Sequence, residues 1–222
     1  MSDLLDTVEL ETGAAPQWTV LWLHGLGADG NDFAPIVPEL VRPGWPALRF
    51  VFPHAPVRAV TINNGMRMRA WYDIAGTDFA TRADAAGVDE SIVQVEALIT
   101  REAARGIDAA HILLAGFSQG GAITLAAGAR RSVPLAGLIA LSTYLPAADA
   151  LAGFAHEAAR TQPIFMGHGT ADPVVLPEYG QRSAQALTGE GFSIDWHTYP
   201  MGHSVCAEEI RDLGDWMSQR FS

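Results

Sequence analysis

The feature that most constrains the fold is a series of short, mostly apolar runs. Such runs, four to eight residues long and without strict alternation, are typical of parallel strands covered on both faces. Between them lie segments of helical periodicity, as where Val88, Ile92, Val95 and Ile99 recur three or four positions apart. Strand–helix alternation predicts an α/β fold, a mostly parallel central sheet with helices on both faces. The runs occupy residues 19–24, 48–52, 112–116, 138–142 and 164–166.

The terminal segments of the chain predict the edges of the sheet and the last helix. Residues 192–199 alternate between apolar and polar side chains, which predicts a less buried strand near a sheet edge. Residues 206–217 repeat the helical pattern. Gly106 follows the helical segment that contains Val88 and Ile99 and is placed to end that helix. No linker divides the chain, so we expect one α/β domain over residues 1–222, with residues 1–16 as an N-terminal extension or edge strand.

Composition limits the partners that the chain can have. The formal net charge is −11, so an acidic surface would repel the phosphates of nucleic acid. The chain has one cysteine, which excludes a disulfide framework and fits a reducing compartment. No secretory signal and no apolar stretch long enough to span a membrane is visible. We therefore expect a cytoplasmic protein without stable membrane insertion, and the sequence leaves a homodimer open.

Ser118 lies in a motif whose position between a strand and a helix indicates a catalytic serine. Residues 116–120 read Gly-Phe-Ser-Gln-Gly, between a predicted buried strand and a predicted helix. In this context G-x-S-x-G is a strained turn that lifts the serine hydroxyl above the sheet and aims helix amides at it. An ordinary serine in a glycine-rich turn is the alternative. The strand and the helix favour a nucleophile.

A serine nucleophile needs a base and a residue that orients the base. In this architecture the acid and the histidine follow the serine in that order. Asp172 comes shortly after the strand at 164–166, and His203 follows the strand at 192–199. Both loops would leave the same edge of a parallel sheet as Ser118. We therefore predict a Ser118–His203–Asp172 triad, although a loop aspartate or histidine taken alone is more often a turn residue or solvated.

A second glycine-rich loop follows the first long strand, as His24-Gly-Leu-Gly27. Its glycines would let the backbone approach the substrate and leave the Leu26 amide free to donate a hydrogen bond. With the amide of Gln119, the residue after the nucleophile, it would form an oxyanion hole. A phosphate-binding loop is the alternative, but no Gly-Lys-Ser/Thr follows.

Several collinear stretches together resemble the phospholipase/carboxylesterase family of α/β-hydrolases, which includes acyl-protein thioesterases and small bacterial carboxylesterases. The resemblance implies the α/β-hydrolase fold without a large cap domain, cleavage of carboxylic esters or thioesters, no metal and no organic cofactor. The element at residues 141–144 looks more similar to the bacterial carboxylesterases. The stretches are Leu-His-Gly-Leu-Gly at 23–27, Trp-Tyr-Asp-Ile at 71–74, Leu-Ala-Gly-Phe-Ser-Gln-Gly-Gly-Ala at 114–122, Leu-Ser-Thr-Tyr-Leu-Pro at 141–146, Gly-Thr-Ala-Asp-Pro-Val-Val at 169–175 and Tyr-Pro-Met-Gly-His at 199–203.

The substrate side is predicted from residues 61–73, which in this family form a short excursion beside the active site. Here Met66, Met68 and Trp71 offer an adaptable apolar wall for an acyl chain. Tyr144, just past a strand end, would line the same groove. Plain packing is the alternative for all four side chains.

The sequence thus predicts a serine hydrolase that cleaves esters, or also thioesters or lysophospholipids, of small to medium acyl chains through an acyl-enzyme. Its partner would be a small-molecule ester or thioester. One alternative is an acyl-protein thioesterase. A second is a non-catalytic binding module, which would be expected to lack a triad member, and a third is a peptidase, which usually carries an additional cap or propeller domain.

Overall fold

The computed structural model describes residues 4–76 and 83–221. The described strands are β1 (Thr7–Glu11), β2 (Trp18–Leu23), β3 (Leu48–Pro53), β4 (Val57–Val60), β5 (Met66–Arg69), β6 (Ile112–Phe117), β7 (Gly137–Leu141), β8 (Ile164–Gly169) and β9 (Ile194–Tyr199). The helices are α1 (Val37–Leu40), α2 (Ala85–Ala104), α3 (Gln119–Arg130), α4 (Leu151–Phe154), α5 (Pro177–Gly189) and α6 (Ala207–Ser218).

The main sheet has seven strands in the order β1-β3-β2-β6-β7-β8-β9. β1 is antiparallel to β3, and every other neighbouring pair is parallel. Strands β3, β7 and β8 are buried along their whole length, as the continuous apolar runs predict. In a parallel sheet the carboxyl ends of the strands share one edge, so the loops after β2, β6, β8 and β9 leave from the same side.

Helices cover both faces of the sheet and form two cores. On one face, α2, α3 and α5 pack over the sheet, with Val95 and Ile123 against Leu114 of β6. On the other face, α1 and α6 bury Leu40 and Leu213 in a separate cluster. Alternate residues of a strand point to opposite faces, so each buried strand contributes to both cores. The predicted mostly parallel sheet with helices on both faces is confirmed.

The strands differ from the sequence-based expectation mainly at their ends. β8 runs to Gly169, three residues beyond the predicted run, because its pairing with β9 continues to Tyr199. The alternating segment is the edge strand β9, and residues 7–11 form the opposite edge strand β1. Gly106, with a φ of +93°, follows α2 as expected. No large cap domain is inserted within residues 4–76 and 83–221.

A small antiparallel hairpin, β4–β5, lies outside the main sheet and was not predicted. Its turn contains Asn64 at φ +56° and Gly65 at φ +73°, a left-handed pair that suits Asn-Gly. The hairpin lies next to the loop after β2, because the Gly27 amide donates to the Arg69 carbonyl at 2.9 Å. It therefore contributes to the same edge of the sheet as the loops that carry Ser118, Asp172 and His203.

Candidate active site

Ser118 sits on a strained turn between β6 and α3. Its φ of +54° and ψ of −118° are unusual for a residue with a side chain, and the turn survives because its surroundings are tightly packed. A Cβ on Gly116 would overlap the backbone of Gly120, and a Cβ on Gly120 would overlap the carbonyl of Leu23. The Ser118 amide donates to the Leu141 carbonyl at 2.9 Å, which fixes the turn to β7. Only glycine fits at positions 116 and 120, two residues before and two residues after the serine.

The structure brings the three predicted triad side chains into one hydrogen-bonded chain. The His203 Nδ1 lies 2.7 Å from the Asp172 Oδ2, and its Nε2 lies 2.9 Å from the Ser118 Oγ. The Asp172 carboxylate accepts a hydrogen bond from the Nδ1–H of His203, so Nε2 presents a lone pair to the serine hydroxyl. This arrangement is the one that general-base activation of a serine requires.

Asp172 is held by its own loop. Its Oδ1 accepts hydrogen bonds from the Val174 and Val175 amides at 2.8 and 3.0 Å, which leaves Oδ2 to face the histidine. The loop is tied to the one that carries His203, because the Ala171 amide donates to the Met201 carbonyl at 3.1 Å. Asp172 is buried, so these partners replace water around the carboxylate.

His168 supports the same loop from below. It is buried, and burial lowers the pKa of its imidazole, which keeps the ring neutral. Its Nε2 donates to the Val175 carbonyl at 2.8 Å and lies 3.6 Å from the Asp172 Oδ2. No sequence motif indicates this role, in which His168 supports the loop that carries Asp172.

The two predicted oxyanion donors line one pocket with Ser118. In the part of the chain that the structure describes, no hydrogen bond takes up the amide of Leu26 or the amide of Gln119. Gln119 is the first residue of α3, so its amide is one that the helix itself leaves without a partner. Two free amides beside a serine hydroxyl are suited to binding a developing oxyanion.

Gln119 and His24 hold this region rigid, a role that the motifs did not reveal. The Gln119 side chain accepts from the Trp71 amide at 2.8 Å and donates to the Tyr72 carbonyl at 2.8 Å. The His24 Nε2 accepts from the Ala55 amide at 3.1 Å, so its Nδ1 carries the proton and donates to the Gly25 carbonyl at 2.7 Å. Burial lowers the pKa of His24 to about 4, consistent with this neutral tautomer.

A pocket of about 430 Å³ opens beside Ser118, and we call it the serine pocket. Tyr144 lines it as predicted, and its hydroxyl pairs with the Tyr72 hydroxyl at 2.8 Å. The walls are mostly aliphatic and aromatic. The lining residues are Leu26, Ile62, Asn63, Tyr72, Ile74, Ser118, Gln119, Tyr144, Pro173, Val174 and Val175.

The sequence-based expectation that Met66, Met68 and Trp71 form the wall of the pocket needs correction. None of the three lines the serine pocket. Met66 is 64% exposed on β5, and the Met68 sulfur accepts from the Asn63 amide group at 3.2 Å. Trp71 is fully buried, and its indole N–H donates to the His24 carbonyl at 2.9 Å. The apolar wall comes instead from Ile62, Ile74 and the valines after Asp172. The Pro-Val-Val sequence after the acid was the available signal for those valines.

A second depression, of about 500 Å³, is lined in part by His203, and we call it the histidine groove. His203 lines the histidine groove and Ser118 does not. Ser118 lines the serine pocket and His203 does not. The lining residues are Asp32, Phe33, Pro35, Ile36, Glu39, Phe117, His203, Ser204, Val205, Cys206, Ala207 and Ile210.

Comparison with known proteins decides the family. A family profile described as Phospholipase/Carboxylesterase matches residues 7–220. The chain belongs to the phospholipase/carboxylesterase family. It is 40% identical to acyl-protein thioesterase 1 of Mycosarcoma maydis, over 94% of this chain and 93% of that protein. The family resemblance noted in the sequence is therefore confirmed.

Solved structures of similar proteins agree with this family. The crystal structure of Arabidopsis thaliana SOBER1 matches with a TM-score of 0.85 at 34% identity, covering 92% of this chain and 99% of that one. Zea mays acyl-protein thioesterase 2 matches with a TM-score of 0.84 at 29% identity, covering 98% and 100%. The fold is thus the α/β-hydrolase fold, as the motifs predicted.

Two further properties of the described residues bear on chemistry. None of the helices within residues 4–76 and 83–221 combines the length and apolarity that crossing a membrane needs. In those same ranges, no three or more His, Cys, Asp or Glu side chains come together as a metal site would require.

Proposed function

We propose that this family member hydrolyses carboxylic esters and thioesters through an acyl-enzyme formed on Ser118. The observation that carries the proposal is the chain of hydrogen bonds from Ser118 through His203 to Asp172, beside two amides without a partner among the described residues. Relatives named acyl-protein thioesterase and carboxylesterase support the same class of reaction.

In this mechanism the Ser118 Oγ attacks the acyl carbon while the His203 Nε2 takes its proton. Asp172 orients the imidazole and stabilises its positive charge. The amides of Leu26 and Gln119 bind the oxyanion of the tetrahedral intermediate. His203 then donates the proton to the departing alcohol or thiol, and a water molecule, activated by the same histidine, releases the acid in the second half of the cycle.

The acyl chain would occupy the serine pocket. Ser118 and the two amides stand at one side of it, and Ile74, Tyr144 and Val174 offer an apolar surface to hydrocarbon. The pocket volume of about 430 Å³ suits small to medium acyl chains. Lysophospholipids of such chain length would also fit this description.

An acyl-protein thioesterase is the second candidate, because relatives of that name match almost the whole chain. The chemistry at Ser118 would be the same, and only the thiol part of the substrate would differ. A non-catalytic binding module is disfavoured because Ser118, His203 and Asp172 are all present and hydrogen-bonded. Cytoplasmic action is part of the proposal, since the one cysteine of the chain fits a reducing compartment.

Kinetics of three variants tests the proposal. With p-nitrophenyl butyrate, Ser118→Ala and His203→Ala should each lower kcat by up to about six orders of magnitude, and Asp172→Asn by about four. Ser132→Ala, at an exposed serine before β7, is the matched control and should keep full activity. A Ser118→Ala protein that folds normally and keeps more than a hundredth of the wild-type kcat would refute the assignment.

A further inference from the structure

The histidine groove has a defined relation to the reaction. It is lined by His203 and not by Ser118, and Phe117 lies against the imidazole at a ring-centroid distance of 4.8 Å. Phe33 lies against Phe117 at 5.4 Å, so two aromatic rings continue from the histidine into the groove. The groove is therefore a second binding surface that meets the serine pocket at His203.

The chemistry of acyl transfer places the leaving group near His203 and the acyl chain near Ser118. When Ser118 attacks, a bond forms from its Oγ to the acyl carbon, and the bond from that carbon to the leaving oxygen breaks. The proton that His203 took from Ser118 goes to that oxygen. The leaving group must therefore lie on the His203 side, while the acyl chain takes the pocket beside Ser118 and the free amides. This step rests on the proposed function.

The charge of the histidine groove is negative. Asp32 and Glu39 are exposed carboxylates in its wall, and His203 is the one basic side chain among its described lining residues. Beyond Glu39 the neighbouring depression holds Arg42, which is paired with Asp215, and Arg211, so among the described residues the nearest positive charge that no carboxylate takes up lies outside the groove. A cation in the groove would meet two carboxylates, which attract ammonium groups, and the partly exposed edge of an aromatic cluster formed by Phe33 and Phe117.

We infer that the histidine groove is a leaving-group subsite that favours esters of cationic alcohols, of the amino-alcohol or quaternary ammonium kind, over esters of anionic alcohols. Asp32 and Glu39 supply the charge opposite to that of the ammonium, and the partly exposed Phe117 offers an apolar surface to its methyl groups or methylenes. Anionic leaving groups meet the same carboxylates and are rejected. The selection acts on the alcohol and leaves the choice of acyl chain to the serine pocket.

Three esters with the same butyryl group separate this effect from the acyl side. Butyrylcholine carries a cation, 3,3-dimethylbutyl butyrate is its neutral isostere, and the butyryl ester of isethionate carries a sulfonate. Two exposed carboxylates should make kcat/KM about tenfold higher for the cationic ester than for the neutral one, and lower again for the sulfonate. The double variant Asp32→Asn/Glu39→Gln should bring the cationic-to-neutral ratio of kcat/KM to within about twofold of unity.

Glu157→Gln is the matched control, because it removes the same charge from an exposed residue ahead of β8, at the opposite edge of the sheet. This control should keep the wild-type ratio. Raising the salt from about 0.02 M to about 0.5 M should lower the ratio in the wild type and hardly change it in the double variant. The salt series on the wild type also tests the inference if the double variant fails to fold.

Two results would overturn the inference: equal kcat/KM for the three esters in the wild type at low salt, or a ratio that the double variant leaves unchanged. A failure of the proposed function is distinguishable from these, because the wild type would then fail to hydrolyse the neutral ester as well.

Discussion

Glu209 is a buried carboxyl group that should make the stability of the protein depend on pH. It lies in the first turn of α6 and is fully buried, and neither of its oxygens has a hydrogen-bond partner among the described residues. Gly167 makes room for it, since a Cβ there would overlap the carboxyl group. Burial, and to a smaller extent the charge of Asp212, raise the pKa of Glu209 to about 8. The group is therefore protonated in the folded protein at neutral pH.

The size of the effect follows from the two pKa values. The unfolded chain releases this proton near its ordinary pKa of 4.5, whereas the folded protein holds it to about 8. The folded state therefore binds more protons between these limits, and its stability falls as pH rises through this window. At about 1.4 kcal/mol per pKa unit, the loss approaches about 5 kcal/mol at its upper limit. Below pH 4.5 this contribution is fully present, and above pH 8 it is gone.

Urea unfolding of Glu209→Gln from pH 5 to pH 9 measures this term. The amide keeps the shape of the protonated acid but does not ionise, so any constant difference in packing cancels in the pH dependence. We expect the variant to gain about 3–5 kcal/mol on the wild type between pH 5 and pH 9. Glu208→Gln, an exposed neighbour in the same turn, should follow the wild type. Parallel curves for wild type and Glu209→Gln would refute the reasoning.

Three further predictions concern other parts of the chain. Glu102 is a buried carboxylate whose pKa burial would raise, but hydrogen bonds from Arg49 and Thr19 lower it, so Glu102→Gln should cost about 3–5 kcal/mol in urea unfolding. Gly120→Ala should abolish esterase activity and lower the melting temperature, because the added methyl overlaps the backbone of β2; an active, stable variant would contradict the packing argument. Val174→Ala should lower the octanoate-to-acetate ratio of kcat/KM about three- to tenfold, since Val174 lines the serine pocket; Met66→Ala, outside it, should not, and equal effects would mislocate the acyl chain.

That Ser118, His203 and Asp172 come together was predictable from the sequence, because each follows a predicted strand of the same sheet. Ser118 lies in a motif that must follow a buried strand, and Asp172 and His203 follow later strands of the same sheet. Parallel topology then brings the three loops to one edge, so chain order is enough to predict that they meet. The fold was predictable for the same reason, since buried parallel strands have a continuous apolar pattern.

The wall of the serine pocket could not be predicted in the same way. In the sequence, Trp71 has the position of a ligand-binding aromatic residue in a loop. In the structure it is buried, and its indole N–H donates to the His24 carbonyl. That contact joins residues 47 positions apart and has no local sequence signal. Met66 faces solvent because the hairpin β4–β5 turns it outwards. Side-chain direction in an excursion of this kind depends on tertiary contacts that periodicity does not encode.

Ser118 as the nucleophile is the central claim, and covalent labelling tests it most directly. The protein is inactivated with an alkyl fluorophosphonate and digested, and the modified peptide is identified by mass spectrometry. We predict one phosphonyl group per chain, on Ser118, with activity lost in proportion to labelling, and no labelling of His203→Ala on the same timescale. Labelling of a different residue, or full activity after complete modification of Ser118, would contradict the account.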